Sequence, residues 1–291
     1  MVASQLAFVF GDTLVKLTSE TLPMGEILFV RGLICTAMIG AAVVATGQHR
    51  NLPLLGDRTV LWRLLGEVGG TFFYILALLQ LPIAIVIIIF QAVPLTATGG
   101  AALFLGEAVG WRRWLAIAIG FAGVVLVVRP GLSGFEMHGA LVLVSVLFIA
   151  FRDLWTRIMP AAIPTLLVTG ATAIAVTAMG GVMGIWEDWV RPSGLILLQL
   201  SAAAVFLAVG YFGVIAAMRL GEMSATAPFR YVSVVFAIGI GFAVWRDVPD
   251  ALTILGSLVI VGAGLYTLYR ERPGKRAAAA LAAVPATVPP P

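Results

Sequence analysis

The chain alternates long apolar runs with short polar turns almost to its end. Ten runs stand out, at 1–18, 24–46, 62–79, 83–105, 111–128, 138–157, 164–186, 194–217, 223–245 and 249–269. Each is continuously apolar, where a half-buried strand would alternate with period two, and each is too long for a strand. Crossing a bilayer core takes roughly 20 apolar helical residues, and backbone in lipid must satisfy its own hydrogen bonds. The pattern predicts an all-α integral membrane protein with ten transmembrane helices. The first run lacks a basic lead-in and carries Asp12 and Lys16 at its far end, so it is expected to be a retained span and not a cleaved signal peptide.

The runs are written twice. A slide of 141 positions (153 − 12) pairs Phe10 with Phe151, Asp12 with Asp153, Lys16 with Arg157 and Pro23 with Pro164. A slide of 139 (220 − 81) pairs Leu81 with Leu220, Phe90 with Phe229, Val93 with Val232 and Gly123 with Gly262, and brings the turns GEAVGWRR and WRDVPD into register. A two-residue loop difference explains the change of offset. Residues 1–130 are read as the first repeat (spans 1–5) and 131–270 as the second (spans 6–10). Five is odd, so the second copy must enter the membrane from the opposite side, giving inverted five-helix repeats. Residues 271–291 are Ala- and Pro-rich with a basic start, and are expected to form a disordered cytoplasmic tail.

Composition strengthens this picture. Apolar residues make up 61% of the chain and charged ones only 11%, against about 25% charged in a soluble domain. The net charge of +4 is therefore read as orientation. With the N-terminus inside, the inner loops and tail hold Arg50, Arg58, Arg63, Arg112, Arg113, Arg157, Arg219, Arg270, Arg272, Lys275 and Arg276, and the outer loops only Arg129, Arg191 and Arg246. That bias puts both termini in the cytoplasm. The basic residues form no groove-sized patch, so no nucleic-acid partner is expected. Cys35 is the single cysteine, which excludes an intrachain disulfide.

Polar residues inside apolar runs are costly and hence informative. Asp12 and Lys16, and their counterparts Asp153 and Arg157, sit four apart on their helices, the spacing of an ion pair. They read as gating or structural charge pairs. Glu67, Thr71 and Tyr74 share a face of span 3. Gln91, Pro94 and Thr98 share a face of span 4, where Pro94 is expected to kink the helix. Thr226, Arg230 and Ser233 share a face of span 9, with Tyr231 beside them. Interhelical hydrogen bonds, worth about 0.6 kcal/mol each on average, would account for any one of these residues. Three such faces together point to a polar cavity. In it Arg230 is expected to contact an anionic group, Tyr74, Phe90 and Tyr231 to offer stacking surfaces, and Glu67 to be the acid for proton coupling. Glu26 and Arg31 break the repeat, since their counterparts are Leu167 and Thr172. Arg31 is expected to reach another helix or the headgroup layer. The two histidines, His49 and His138, fall at opposite predicted faces. With no metal-ligand cluster, thiol–imidazole pair or phosphate loop, the sequence argues against an enzyme and for no metal or cofactor.

The layout and the phrases FGDTLVK, LPMGEILFVRGL, LPIAIVIIIFQAVPL with FLGEAVGWRRW, GFAGVVLVVRPG, ATAPFRYVSVVFA and GAGLYTLY together resemble the drug/metabolite transporter superfamily, EamA type. The resemblance implies two EamA repeats, the bacterial cytoplasmic membrane, and alternating access around a central cavity. The expected function is secondary transport of a small metabolite, amino-acid-like or similarly polar or amphipathic, in the export direction. The alternative is a flippase or channel-like pore for lipid-linked or hydrophobic compounds. The expected partners are a small-molecule substrate and membrane lipid, with monomer and homodimer left open.

Overall fold

The computed structural model describes residues 2–106, 109–129, 136–220 and 227–282, and is all-α over them. In chain order the helices are α1 (Val2–Thr18), α2 (Met24–Ala45), α3 (Arg58–Gln80), α4 (Ile83–Phe90), α5 (Val93–Phe104), α6 (Trp111–Val128), α7 (Glu136–Ile158), α8 (Thr165–Met183), α9 (Gly194–Leu220), α10 (Val232–Trp245) and α11 (Ala251–Ala282). Short 3₁₀ segments occupy Gln48–Gly56, Gly184–Trp186 and Ala227–Tyr231. Eight segments of the described chain are long and apolar enough to cross a membrane, and Phe229–Trp245 is a shorter apolar helix.

Prolines set several boundaries. Pro23 and Pro164, one repeat apart, occupy the N-caps of α2 and α8 in extended conformation. Pro82 stands before α4. The expected kink at Pro94 is a break: α4 ends at Phe90, and Pro94 falls in the first turn of α5. There its missing N–H costs nothing, because first-turn amides have no partner within the helix. Span 3 begins earlier than the apolar run suggested, because Asp57 caps it by accepting from the Thr59 amide at 2.8 Å. The last helix continues to Ala282, so the segment expected as a disordered tail opens as helix, in keeping with its alanine content.

The most extensive packing joins α3 to α7, α2 to α8, α6 to α11 and α1 to α9. Every one of these pairs crosses from the first half of the chain to the second. Glycines make two of the seams close. A Cβ on Gly66 would lie 2.9 Å from the Arg152 amide nitrogen, and one on Gly180 would lie 2.6 Å from that of Phe29. Such contacts need the small residues that membrane helices place at interfaces. The buried core follows α4, whose Ile83, Val86, Ile88 and Ile89 are at most 1% exposed. The outside stays apolar, with Leu, Val and Phe widely exposed and Trp62, Trp111 and Trp186 near helix ends. That is the distribution of a surface solvated by lipid with an aromatic belt.

Candidate functional site

Three polar constellations lie inside this bundle. The first joins α3 to α7, α8 and α9. Glu67 is buried, and its carboxylate accepts from Arg152 at 3.1 and 3.2 Å and from Arg63 at 3.3 Å, with the Tyr211 hydroxyl at 3.5 Å. Arg152 also binds Asp153 at 2.8 and 3.0 Å, and Arg63 donates to Thr172 Oγ1 at 2.7 Å. Two guanidiniums and two carboxylates thus share one enclosed space, where each charge needs the others. Thr71 lies partly buried one turn further along α3.

The second lies between α1, α3 and α4. The Tyr74 hydroxyl donates to Asp12 at 2.6 Å, and the Tyr74 ring meets Phe90 edge to face, centroids 4.9 Å apart. Arg31, on α2, is 6% exposed, and its charge acts on Asp12 through space. Towards the end of α1, Lys16 donates to the carbonyls of Leu78 (2.9 Å) and Leu81, and its ammonium stands over the Trp245 ring at 5.6 Å. Lys16 therefore satisfies the open carbonyls at the C-terminus of α3.

The third is where the two broken spans meet. Gln91, at the α4–α5 break, donates to Ser233 Oγ at 2.5 Å and to the Arg230 carbonyl at 3.3 Å; Ser233 itself donates to that carbonyl at 2.8 Å. Gln91 and Ser233 are buried and Arg230 is partly buried. Tyr231 is buried with no hydrogen-bond partner for its hydroxyl among the described residues, and its ring end packs on Gly264 of α11. Thr98 bonds back to the Pro94 carbonyl at 2.8 Å. Thr226 lies outside the described residues.

The Asp12–Lys16 pair differs from the i, i+4 expectation. Asp12 binds Tyr74, Lys16 binds α3 carbonyls, and no ion pair joins the two among the described residues. Lys16 is drawn instead to the unsatisfied helix end of its neighbour. Asp153 is held by Arg152, the adjacent residue, and Arg157 is exposed near the end of α7. Arg152, Arg63, Thr172 and Tyr211 went unrecognised as site residues in the sequence. The available signals were Arg152 itself, a cation inside an apolar run beside Asp153, and the i, i+4 spacing of Arg63 and Glu67.

Two acid–amide contacts join the start of α2 to the segment that follows α8. Glu187 accepts from the Gly25 amide at 2.8 and 3.0 Å, and Glu26 from the Val190 amide at 3.0 Å. A cleft of about 350 Å³ is lined among others by Pro82, Ile85, Arg129, Asp247 and Asp250. Arg129 pairs with Asp250, which caps α11 through the Thr253 amide at 3.0 Å. The Arg129 and Thr253 contacts hold the Asp250 carboxyl below the usual carboxylate range.

Residues 1–129 match the model of the EamA-like transporter family. The N-terminal part of the chain is thus similar to an EamA-like transporter. Among the relatives of this EamA-like protein are a pseudopaline exporter from Pseudomonas aeruginosa, 29% identical over 94% of this chain and 95% of its own length, and an S-adenosylmethionine uptake transporter from Rickettsia prowazekii, 24% identical over 90% and 88%. A riboflavin transporter from Vibrio cholerae is 24% identical over 90% and 89%. A solved crystal structure shares the fold with a TM-score of 0.64 at 20% identity, over 93% of this chain and 96% of the other. The EamA-like chain is thus a multi-pass membrane protein related throughout its length to small-metabolite transporters.

Proposed function

We propose that this EamA-like protein is a secondary transporter that moves a small polar or amphipathic metabolite by alternating access, in the export direction. Its eight long spans, with α1 and Phe229–Trp245, make ten crossings in two inverted five-helix repeats, both termini in the cytoplasm. One observation carries this reading. Thr36 and Thr177, 141 apart, approach at 3.3 Å between their hydroxyls, and Gln91 bonds to the Arg230 carbonyl, 139 apart. These are the two slides that relate the halves of the sequence. Equivalent residues of two copies can touch only beside the axis relating the copies. An axis passing between α2 and α8, and again between the two broken spans, runs across the bundle and inverts one half against the other.

In this reading the seams between halves are the moving parts. The Glu67 cluster closes one end, while Lys16, Glu26 and Glu187 close the other, and the cavity lies between. Glu67 is the acid proposed for proton coupling, and opening of that end must break its contacts with Arg63 and Arg152. The relatives are named for pseudopaline export, S-adenosylmethionine uptake and riboflavin transport, three different solutes. Purified protein in proteoliposomes preloaded with amino acids, S-adenosylmethionine or riboflavin should show saturable counterflow of at least one solute. A fully folded preparation that moves none of a broad metabolite panel, or moves solute without saturation, overturns the reading.

A further inference from the structure

The 3₁₀ segment Gln48–Gly56, between α2 and α3, is fixed to the bundle on one side and open on the other. Leu55 packs against the apolar clusters around Ile39, Leu167 and Val60, whereas Leu52 stays 52% exposed and Leu54 is exposed beside it. Arg50 lies within the segment and Arg58 just after it. Both are exposed, and among the described residues no ion pair takes up either. Asp57 is the one acid in the stretch 46–62, and its carboxylate is spent on the amide and hydroxyl of Thr59. The counterpart stretch 141 positions on, 187–203, holds Glu187 and Asp188 and only Arg191. The two copies of this turn thus differ in charge.

Beside the segment, α3 and α7 run antiparallel, since a Cβ on Gly66 would meet Arg152 and one on Gly70 would meet Ile149. The start of α3 therefore lies against the end of α7. There Trp62 stacks on Trp155, centroids 5.9 Å apart, with Phe151 edge-on to both. Trp62 is 46% exposed, and Leu61 and Leu65 are exposed beside it. Arg58 precedes this stack by one turn, and Arg157 is exposed at the same end of α7. Cations thus border an open surface of tryptophan and leucine.

We propose that this rim is a binding site for anionic phospholipid. Guanidiniums hold a phosphate through paired N–H donors, and tryptophan beside leucine suits the glycerol level and the first chain carbons. A free phosphate would use only the cations and leave the apolar surface bare. Asp57 is turned to Thr59 and Asp153 to Arg152, so neither is open to a headgroup ammonium. A lipid of net negative charge is therefore favoured over a zwitterionic one. The topology proposed above puts the site in the cytoplasmic leaflet, next to the end that the Glu67 cluster closes.

The purified full-length protein, delipidated in detergent, is titrated with phosphatidylglycerol and with phosphatidylcholine, and bound lipid is counted by native mass spectrometry. Phosphatidylglycerol should bind at least about tenfold more tightly, since each basic side chain at an anionic surface contributes about fivefold. Arg50→Gln combined with Arg58→Gln should remove most of that preference, and Arg50→Lys with Arg58→Lys should keep most of it. Arg191→Gln combined with Arg246→Gln takes two charges from the opposite end and should leave it intact, which separates a site from an effect of net charge. Inorganic phosphate in large excess should not displace the lipid. Equal binding of the two lipids, an undiminished preference in the folded Arg50 and Arg58 glutamine variant, an equal loss in the opposite-end variant, or displacement by phosphate overturns the site. Should the double glutamine variant fail to fold, the two single variants decide in its place. Transport is not read in this experiment, so failure of the site leaves the transport reading untouched.

Discussion

Glu67 shows what a single buried charge does here. Its carboxylate is shared by Arg63, Arg152 and Tyr211, from three helices. Removing one member of such a group leaves the others uncompensated, at a cost of about 3–5 kcal/mol. Glu67→Gln and Arg152→Gln should therefore each lower the melting temperature markedly. The double variant should lose less than the sum, with a coupling of about 1–3 kcal/mol. Melts of the four proteins in one detergent check this, and strict additivity would mean that the two side chains do not interact. At this scale the sequence was half legible. Glu67 was visible as an acid inside an apolar run with Arg63 four residues before it, but Arg152, Thr172 and Tyr211 were not visible as its company, because the i, i+4 rule describes one helix and this cluster is built from four. The same limit sent Asp12 to Lys16 on paper, where the fold sends it to Tyr74.

Elements were read more easily. Continuous apolar runs located the helices, and Pro23, Pro82, Pro94 and Pro164 marked where they start or break. Helix continuity past Tyr269 escaped because the Ala- and Pro-rich composition of 271–291 read as disorder. Which helix packs on which was illegible, since the few polar positions mark a face on only some runs and do not say which neighbour that face meets. Glycine positions carry that information only after the partner is known. Gly180 faces the α2 backbone, with the Gly25 carbonyl 2.9 Å from where a Cβ would sit, whereas nothing lies within 4 Å of that point at Gly40. Gly180→Leu should push α2 and α8 apart and destabilise by about 1–3 kcal/mol or more. Gly40→Ala should be neutral or stabilising by up to about 1 kcal/mol, from helix propensity. Melting midpoints of the two variants decide, and equal destabilisation would refute the assigned seam.

For the whole molecule the question is whether one half is threaded upside down. On the proposed reading, the cross-half seams and the Thr36–Thr177 and Gln91–Arg230 contacts reflect rotation about an axis lying across the helices, whereas an axis along them would leave the copies parallel. The two arrangements assign loops to different compartments. With inversion and a cytoplasmic N-terminus, Glu20 and Arg191 face outwards while Arg50 and Ala161 face the cytoplasm, and all four are exposed. Single cysteines at these positions in a Cys35→Ser background make the distinction directly. A membrane-impermeant maleimide added to intact cells should label Glu20→Cys and Arg191→Cys, while Arg50→Cys and Ala161→Cys should react only once the membrane is opened. Parallel repeats would put the loop at Ala161, the counterpart of the Glu20 loop, on the outside and the one at Arg191 within. Inversion is therefore decided by these two second-half positions, and exchange of their labelling would overturn both the axis and the alternating-access reading built on it.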